Sequence, residues 1–142
     1  MTLNVIALAA VVILMFPMGF FLLSSPAFLL VKLDIPEVTQ LLRGLFRAHF
    51  FMVSIAAVIG TVIFAAAGRV AFTVGIGLIA AFAIWARRWF LQRMDTQLSA
   101  RDAGDTSAVR RLRWLHWEGM LSNAIQLAAL VSSIPHVVMA TS

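Results

Sequence analysis

Cysteine is absent from these 142 residues, which excludes disulfides, thiolate metal sites and cysteine nucleophiles while leaving the redox compartment open. Charge is scarce as well. Only 12% of the residues are Asp, Glu, Lys or Arg, about half the share of an ordinary soluble domain. There is no glycine-rich phosphate loop, GxSxG elbow, HExxH pair or close pair of carboxylates on one helix face, so the familiar signatures of phosphate, acyl-transfer and zinc chemistry are missing. Nor does the chain hold a low-complexity tract, a convincing repeat, a second domain or the alternating pattern of a barrel strand.

What is abundant is apolar surface: 62% of the residues are hydrophobic and the mean hydropathy is +0.97, values that belong to an integral membrane protein. A hydrocarbon core of about 30 Å needs about 20 apolar residues as a helix. Four runs approach that length, about Val5 to Leu30, Gly44 to Ala67, Val70 to Trp85 and Leu115 to Ile134. Backbone groups in lipid must pair within their own segment, so the spans are helices. The expected architecture is all-α, an integral membrane four-helix bundle in one domain over 1–142, with helices at about 4–32, 36–67, 70–93 and 106–135. The third run is short and is expected to continue through Arg87 and Arg88, whose long side chains snorkel to headgroups.

MTLNVIALAA lacks the positive start of a signal peptide and runs on well past a usual signal core, so it reads as an uncleaved first helix. Pro17 and Pro26 should kink or end that helix, with Ser24-Ser25-Pro26 the expected break. In the next connection Asp34 can cap a helix that Pro36 opens and Glu37 favours electrostatically. RDAGDTSAVRRLRW turns at Gly104 and restarts at Asp105 or Thr106. The AAAGRV hairpin is short enough to make the second and third helices antiparallel neighbours.

The eleven Lys and Arg residues divide three, one and seven among the three connections. Lys32, Arg43 and Arg47 fall in the first, Arg69 in the second, and Arg87, Arg88, Arg93, Arg101, Arg110, Arg111 and Arg113 in the third. The first and third connections share a side, and the positive-inside rule makes it cytoplasmic, with both termini extracytoplasmic in a plasma (inner) membrane. The sequence pI near 11.6 then implies a rim that attracts anionic lipid headgroups; without a soluble basic module, no nucleic acid is expected as a partner.

Ala56 with Gly60, Ala57 with Thr61, and Ala71 with Gly75 are spaced by four, the pattern of small residues at close helix seams. The fourth run holds polar residues at an unusual density. On a helical wheel Asn123 falls about 20° from His116 and Gln126 about 80° away on the same side, while Glu118 points nearly opposite. The stripe of His116, Asn123 and Gln126 therefore reads either as hydrogen-bonding glue between helices or as the lining of a small polar cavity. Glu118 lies one turn beyond Trp114 and is either interfacial or, if buried, paired with an arginine from another helix, Arg47 first. His49 enters the second helix at the depth expected for His116 in the fourth, which raises the alternative of two imidazoles ligating haem or a metal. Neither belongs to a spaced ligand motif, so the cofactor stays open and no metal site is assigned. His136, after Pro135 at the outer end, is expected to be solvated.

GFFLLSSPAF (Gly19 to Phe28), LLRGLF ending at Phe46 and LRWLHWEGMLSNAIQL (Leu112 to Leu127) together resemble the domain of unknown function 4149, which includes the transmembrane protein 205-like proteins. The shared pattern is carried by Gly19, Pro26 with Phe28, Phe46, His116 and Asn123. Arg47 and His49 depart from it where a proline and an aromatic are usual, as do Glu118 and Gly119 where a basic residue and serine are commoner. The resemblance implies a four-helix membrane fold and no established activity. A similar architecture in anthrone-oxygenase-like membrane proteins keeps an enzyme open by analogy.

Three functions are compatible with these readings. The first is association within the membrane, as a homo-oligomer or as an accessory subunit of a larger complex. The second is binding of a small molecule, haem or metal, with or without catalysis, by His49, His116, Asn123 and Gln126. The third is an oligomeric transporter or channel.

Overall fold

A computed structural model describes residues 3–30 and 32–139; the ends of the 1–142 domain and residue 31 of the expected first helix lie outside them. The chain folds as an all-α, integral membrane four-helix bundle. Helix α1 is Leu3–Ser24, followed by a 3-10 segment Ser25–Leu29; α2 is Pro36–Ala66, α3 Val70–Asp102 and α4 Ala108–Met139. Each has the length and apolar content to cross a bilayer.

The break in the first helix falls at Ser24-Ser25-Pro26, where Pro26 has no N–H for the α-helical ladder and the tighter 3-10 turn takes over. Pro17 is accommodated inside α1. Pro36 opens α2, but the residue before it is Ile35 without a side-chain cap; Thr39 bonds back to the Pro36 carbonyl at 2.9 Å. Helix α3 runs nine residues past the expected end at 93, because QRMDTQLSARD contains no Pro or Gly and its charged face is solvated beyond the lipid. Gly68 and Gly104 supply the left-handed turns, at φ 71° and 96°.

The helices are arranged in a ring: α1 packs on α2 and α4, and α3 packs on the same two, leaving α2 and α4 across a diagonal. Ala7, Val11, Leu14, Met18 and Phe21 of α1, and Ser25 just beyond it, are buried at alternating intervals of four and three residues. In α4 His116, Asn123, Leu130 and Val137 are buried at intervals of seven. These heptad spacings are those of left-handed bundle packing. Ala57 is buried, and Gly60 lies in the α2–α3 seam, where Ile76 packs over it. Ala71 and Gly75 instead line an open groove.

The two ends of the bundle differ in charge. At one end Arg69 donates to the carbonyls of His136 (3.2 Å) and Val137 (3.4 Å), closing the last turn of α4, and its guanidinium lies 4.4 Å from the Phe72 ring centre. The other end holds the remaining arginines and all four tryptophans, Trp85, Trp89, Trp114 and Trp117. There Arg43 and Asp95 join α2 to α3 at 2.8 Å. Arg101, largely buried, reaches the Leu33 carbonyl (3.2 Å) and the Thr39 hydroxyl (2.9 Å) and so fastens the first connection to α3. Arg111 bonds Asp105, Ser107 and Gln97, tying α4 to the turn that precedes it and to α3.

Candidate functional site

Three buried polar residues, His49, His116 and Asn123, converge on the backbone of α1 and of the 3-10 segment that follows it, around Pro17 and Pro26. His116 Nε2 lies 2.9 Å from the Ser25 carbonyl oxygen, and Asn123 Nδ2 donates to the Met18 carbonyl at 3.0 Å. Since a carbonyl can only accept, His116 donates from Nε2 in this contact. The two bonds are seven residues apart on both helices, so they form successive rungs of one antiparallel α1–α4 pairing. From the opposite flank, His49 of α2 turns its imidazole toward the Pro17 carbonyl and stacks on Phe21, with ring centres 4.1 Å apart. Glue between helices is the role these contacts describe.

Between the imidazoles lies a packed aromatic centre. Phe46 meets Phe21 edge-on at 5.2 Å, Phe90 at 5.5 Å and His116 at 5.8 Å. Phe28, from the 3-10 segment, approaches His116 at 6.1 Å. Phe46 reaches across the diagonal because residue 119 is glycine; a Cβ there would lie 2.7 Å from Phe46 Cζ. Three of the residues that carry the resemblance, Phe28, Phe46 and His116, thus share this centre, with Pro26 at the adjoining break and Asn123 two turns away on α4. Gly19 does not, since a Cβ there would meet open space.

His49 and His116 are not brought to one point. The carbonyls they address, at Pro17 and Ser25, are eight residues apart, about 12 Å along a helix, and Phe21 and Phe46 fill the space between the rings. The equal depth expected from the sequence fails because α2 begins in the polar rim at Pro36 and has already travelled three turns when it reaches His49. Among the described residues no three His, Asp or Glu side chains cluster as metal ligands. Four buried polar atoms without partners do lie in this region, Ser25 Oγ, His49 Nδ1, His116 Nδ1 and Asn123 Oδ1.

Gln126 is separated from Asn123. It is half-buried on the α3 side, where, among the described residues, its amide reaches only Ser122 of its own helix, at 3.4 Å. It opens into a groove of about 390 Å³ between α3 and α4, with Ala71, Gly75, Ile79, Ala129 and Ser133 among its walls. The three-residue step from Asn123 turns Gln126 away from α1, so the two amides do not line one cavity.

Arg47 and Glu118 are likewise not an ion pair. Both are exposed: Arg47 borders a groove with Gly44, Phe51 and Arg87, whereas Glu118 shares the outer face of α4 with Arg110, Trp114 and Trp117. Entry from the same side puts the two at a similar depth, but the ring order keeps them apart. Helices α2 and α4 stand diagonally, so their outward faces point in different directions.

Gly119 and Arg101 went unassigned in the sequence. Gly119 could have been found from its place between Leu115 and Asn123 at steps of four on a buried stripe; Arg101 has no comparable signal, since its partner is a loop carbonyl. No protein family, curated protein or solved structure matches the chain.

Proposed function

We propose that this protein acts by association within the membrane, as a homo-oligomer or as an accessory subunit of a larger complex, through the groove between α3 and α4. The observation that carries the reading is Gln126. A primary amide has two donor hydrogens and an acceptor oxygen, and here the one bond formed is long and lies within the same helix. In a groove whose other walls are Ile, Leu, Ala, Gly and Phe apart from Ser133, facing hydrocarbon, such a group is costly until a second helix supplies partners. Ala71, Gly75 and Ala129 leave room for that helix to approach closely. Ile125, one of the groove's walls, is exposed and adds apolar area there.

In this reading the arginine- and tryptophan-rich end faces the cytoplasm of a plasma (inner) membrane, and the termini and Arg69 face outward. The membership suggested by the resemblance to the domain of unknown function 4149 is part of the same proposal: Pro26, Phe28, Phe46, His116 and Asn123 shape the bundle, and association is its activity.

Because the chain has no cysteine, Ala129→Cys provides a single reporter in the groove. Association through this face predicts a disulfide-linked dimer on mild oxidation in the membrane, weakened when Gln126→Leu is added. Cross-linking that is absent at Ala129→Cys but efficient at Val58→Cys on the α2 face contradicts the assignment.

A further inference from the structure

On the opposite side of the molecule, α2 and α3 form an outward groove of about 400 Å³ with an uneven distribution of charge. One end is lined by Arg87 and Arg88, and Arg47 borders the adjoining groove that also contains Arg87 and Phe51. The rest is apolar: Ile55, Val58, Ile59 and Ile84. No carboxylate lines either groove. Among the described residues, none of these three arginines has a salt-bridge partner, since Asp95, the acid that joins these two helices, is taken by Arg43. Arg87 lies over the Phe51 ring, 5.7 Å from its centre, with its Nε buried and unpartnered.

Depth makes this arrangement informative. Arg87 stands seventeen residues after Val70, about 26 Å along the helix, which is less than the about 30 Å of a hydrocarbon core. With the Arg69 hairpin at one boundary, the Arg87 guanidinium reaches the other boundary from within. Trp85 and Trp89, stacked at 5.7 Å on the same stretch of α3, mark the same level. A cation held there, without an acidic side chain, meets the phosphates of the lipid before it meets bulk water.

We propose that the α2–α3 groove binds an anionic phospholipid, its phosphate held by Arg47, Arg87 and Arg88 and one acyl chain lying along Ile55, Val58, Ile59 and Ile84. Arginine suits the task because its planar fork grips two phosphate oxygens at once. The outer face of α4 also pairs arginine with tryptophan, but Glu118 stands among them and a single helix supplies the whole surface, so it is the poorer match for an anion. The α2–α3 site is independent of the α3–α4 groove, and either can fail without the other.

The test is native mass spectrometry of the full chain, delipidated in mild detergent and titrated with phosphatidylglycerol, phosphatidylcholine or soluble glycerol 3-phosphate. The site predicts one phosphatidylglycerol retained in preference to phosphatidylcholine. Each single Arg→Gln change at 47, 87 or 88 should weaken retention about fivefold, and the triple change on the order of a hundredfold. Arg110→Gln with Arg113→Gln should leave it nearly unchanged. Should the triple variant fail to fold, Ile59→Trp fills the acyl groove without touching the arginines and must also reduce retention. Equal retention of the two lipids, or no loss in Ile59→Trp, overturns the proposal; competition by glycerol 3-phosphate as effective as by the lipid overturns the acyl half of it.

Discussion

Gly119 of α4 faces the ring of Phe46 across the diagonal of the bundle, in contact too close to admit any side chain at 119. Phe46 has nowhere to retreat, because Phe21, Phe50, Phe90 and His116 surround it. Gly119→Ala should therefore cost about 1–3 kcal/mol, the range of overpacking in a well-filled core. Thermal melting in detergent measures it. Phe46→Leu in the same chain should recover part of the loss, since it removes the ring atoms that clash.

Asn123 bonds the Met18 carbonyl, which also has a place in the helical ladder of α1, and its own Oδ1 is unpartnered. Asn123→Leu should accordingly lower stability by about 0.6 kcal/mol and by no more than about 1.7, the span of polar contacts between membrane helices. A larger loss on chemical or thermal unfolding would point to a second partner for this amide.

Arg47 and Glu118 occupy different grooves, so Arg47→Met and Glu118→Gln should be additive within about 0.5 kcal/mol. Arg43 and Asp95, in direct contact and partly exposed, should couple by about 0.2–1 kcal/mol in the same double-mutant analysis. A coupled first pair and an uncoupled second would reverse the ring order of the helices.

Outside the membrane-spanning helices, the Ser107 hydroxyl and backbone amide and the Arg111 guanidinium hold the Asp105 carboxyl below its ordinary range, at about 2. A depressed carboxylate favours the folded state above its unfolded pKa of about 3.9, and that contribution disappears as the pH falls toward 2. The melting temperature of the parent chain should exceed that of Asp105→Asn near neutrality, with the gap closing between about pH 4 and pH 2. A gap independent of pH contradicts the assignment.

How far the sequence reaches is clear from particular residues. The four helices and the break at Ser24-Ser25-Pro26 follow from apolar length and from proline's missing N–H, both local properties. The extension of α3 to Asp102 was not legible because hydropathy marks lipid, and a helix that continues into water loses that mark without ending. His116 and Asn123 could be placed on one face by their spacing. Glu118 could not be matched to Arg47 correctly, nor Gln126 to any partner, because ring order is set by how whole helices pack. Gly119 and Phe46 illustrate the same limit, since they sit on helices that are distant in sequence and share no seam.

Sidedness is testable with single cysteines at Val70, in the hairpin beside Arg69, and at Ser99, near the opposite end of α3. In right-side-out membranes, an impermeant maleimide should label Val70→Cys and spare Ser99→Cys. The reverse pattern would place the arginine-rich end outside.

Association through the α3–α4 groove is tested most directly by Förster transfer between donor- and acceptor-labelled chains in vesicles, followed as the lipid-to-protein ratio is raised. Transfer should lie well above that of randomly placed chains and fall with dilution along a binding curve. Gln126→Leu should shift that curve toward weaker association by about 3- to 20-fold, the equivalent of one membrane hydrogen bond of about 0.6–1.7 kcal/mol. Transfer at the random level at every dilution, with the parent chain and Gln126→Leu indistinguishable, would contradict association through this groove.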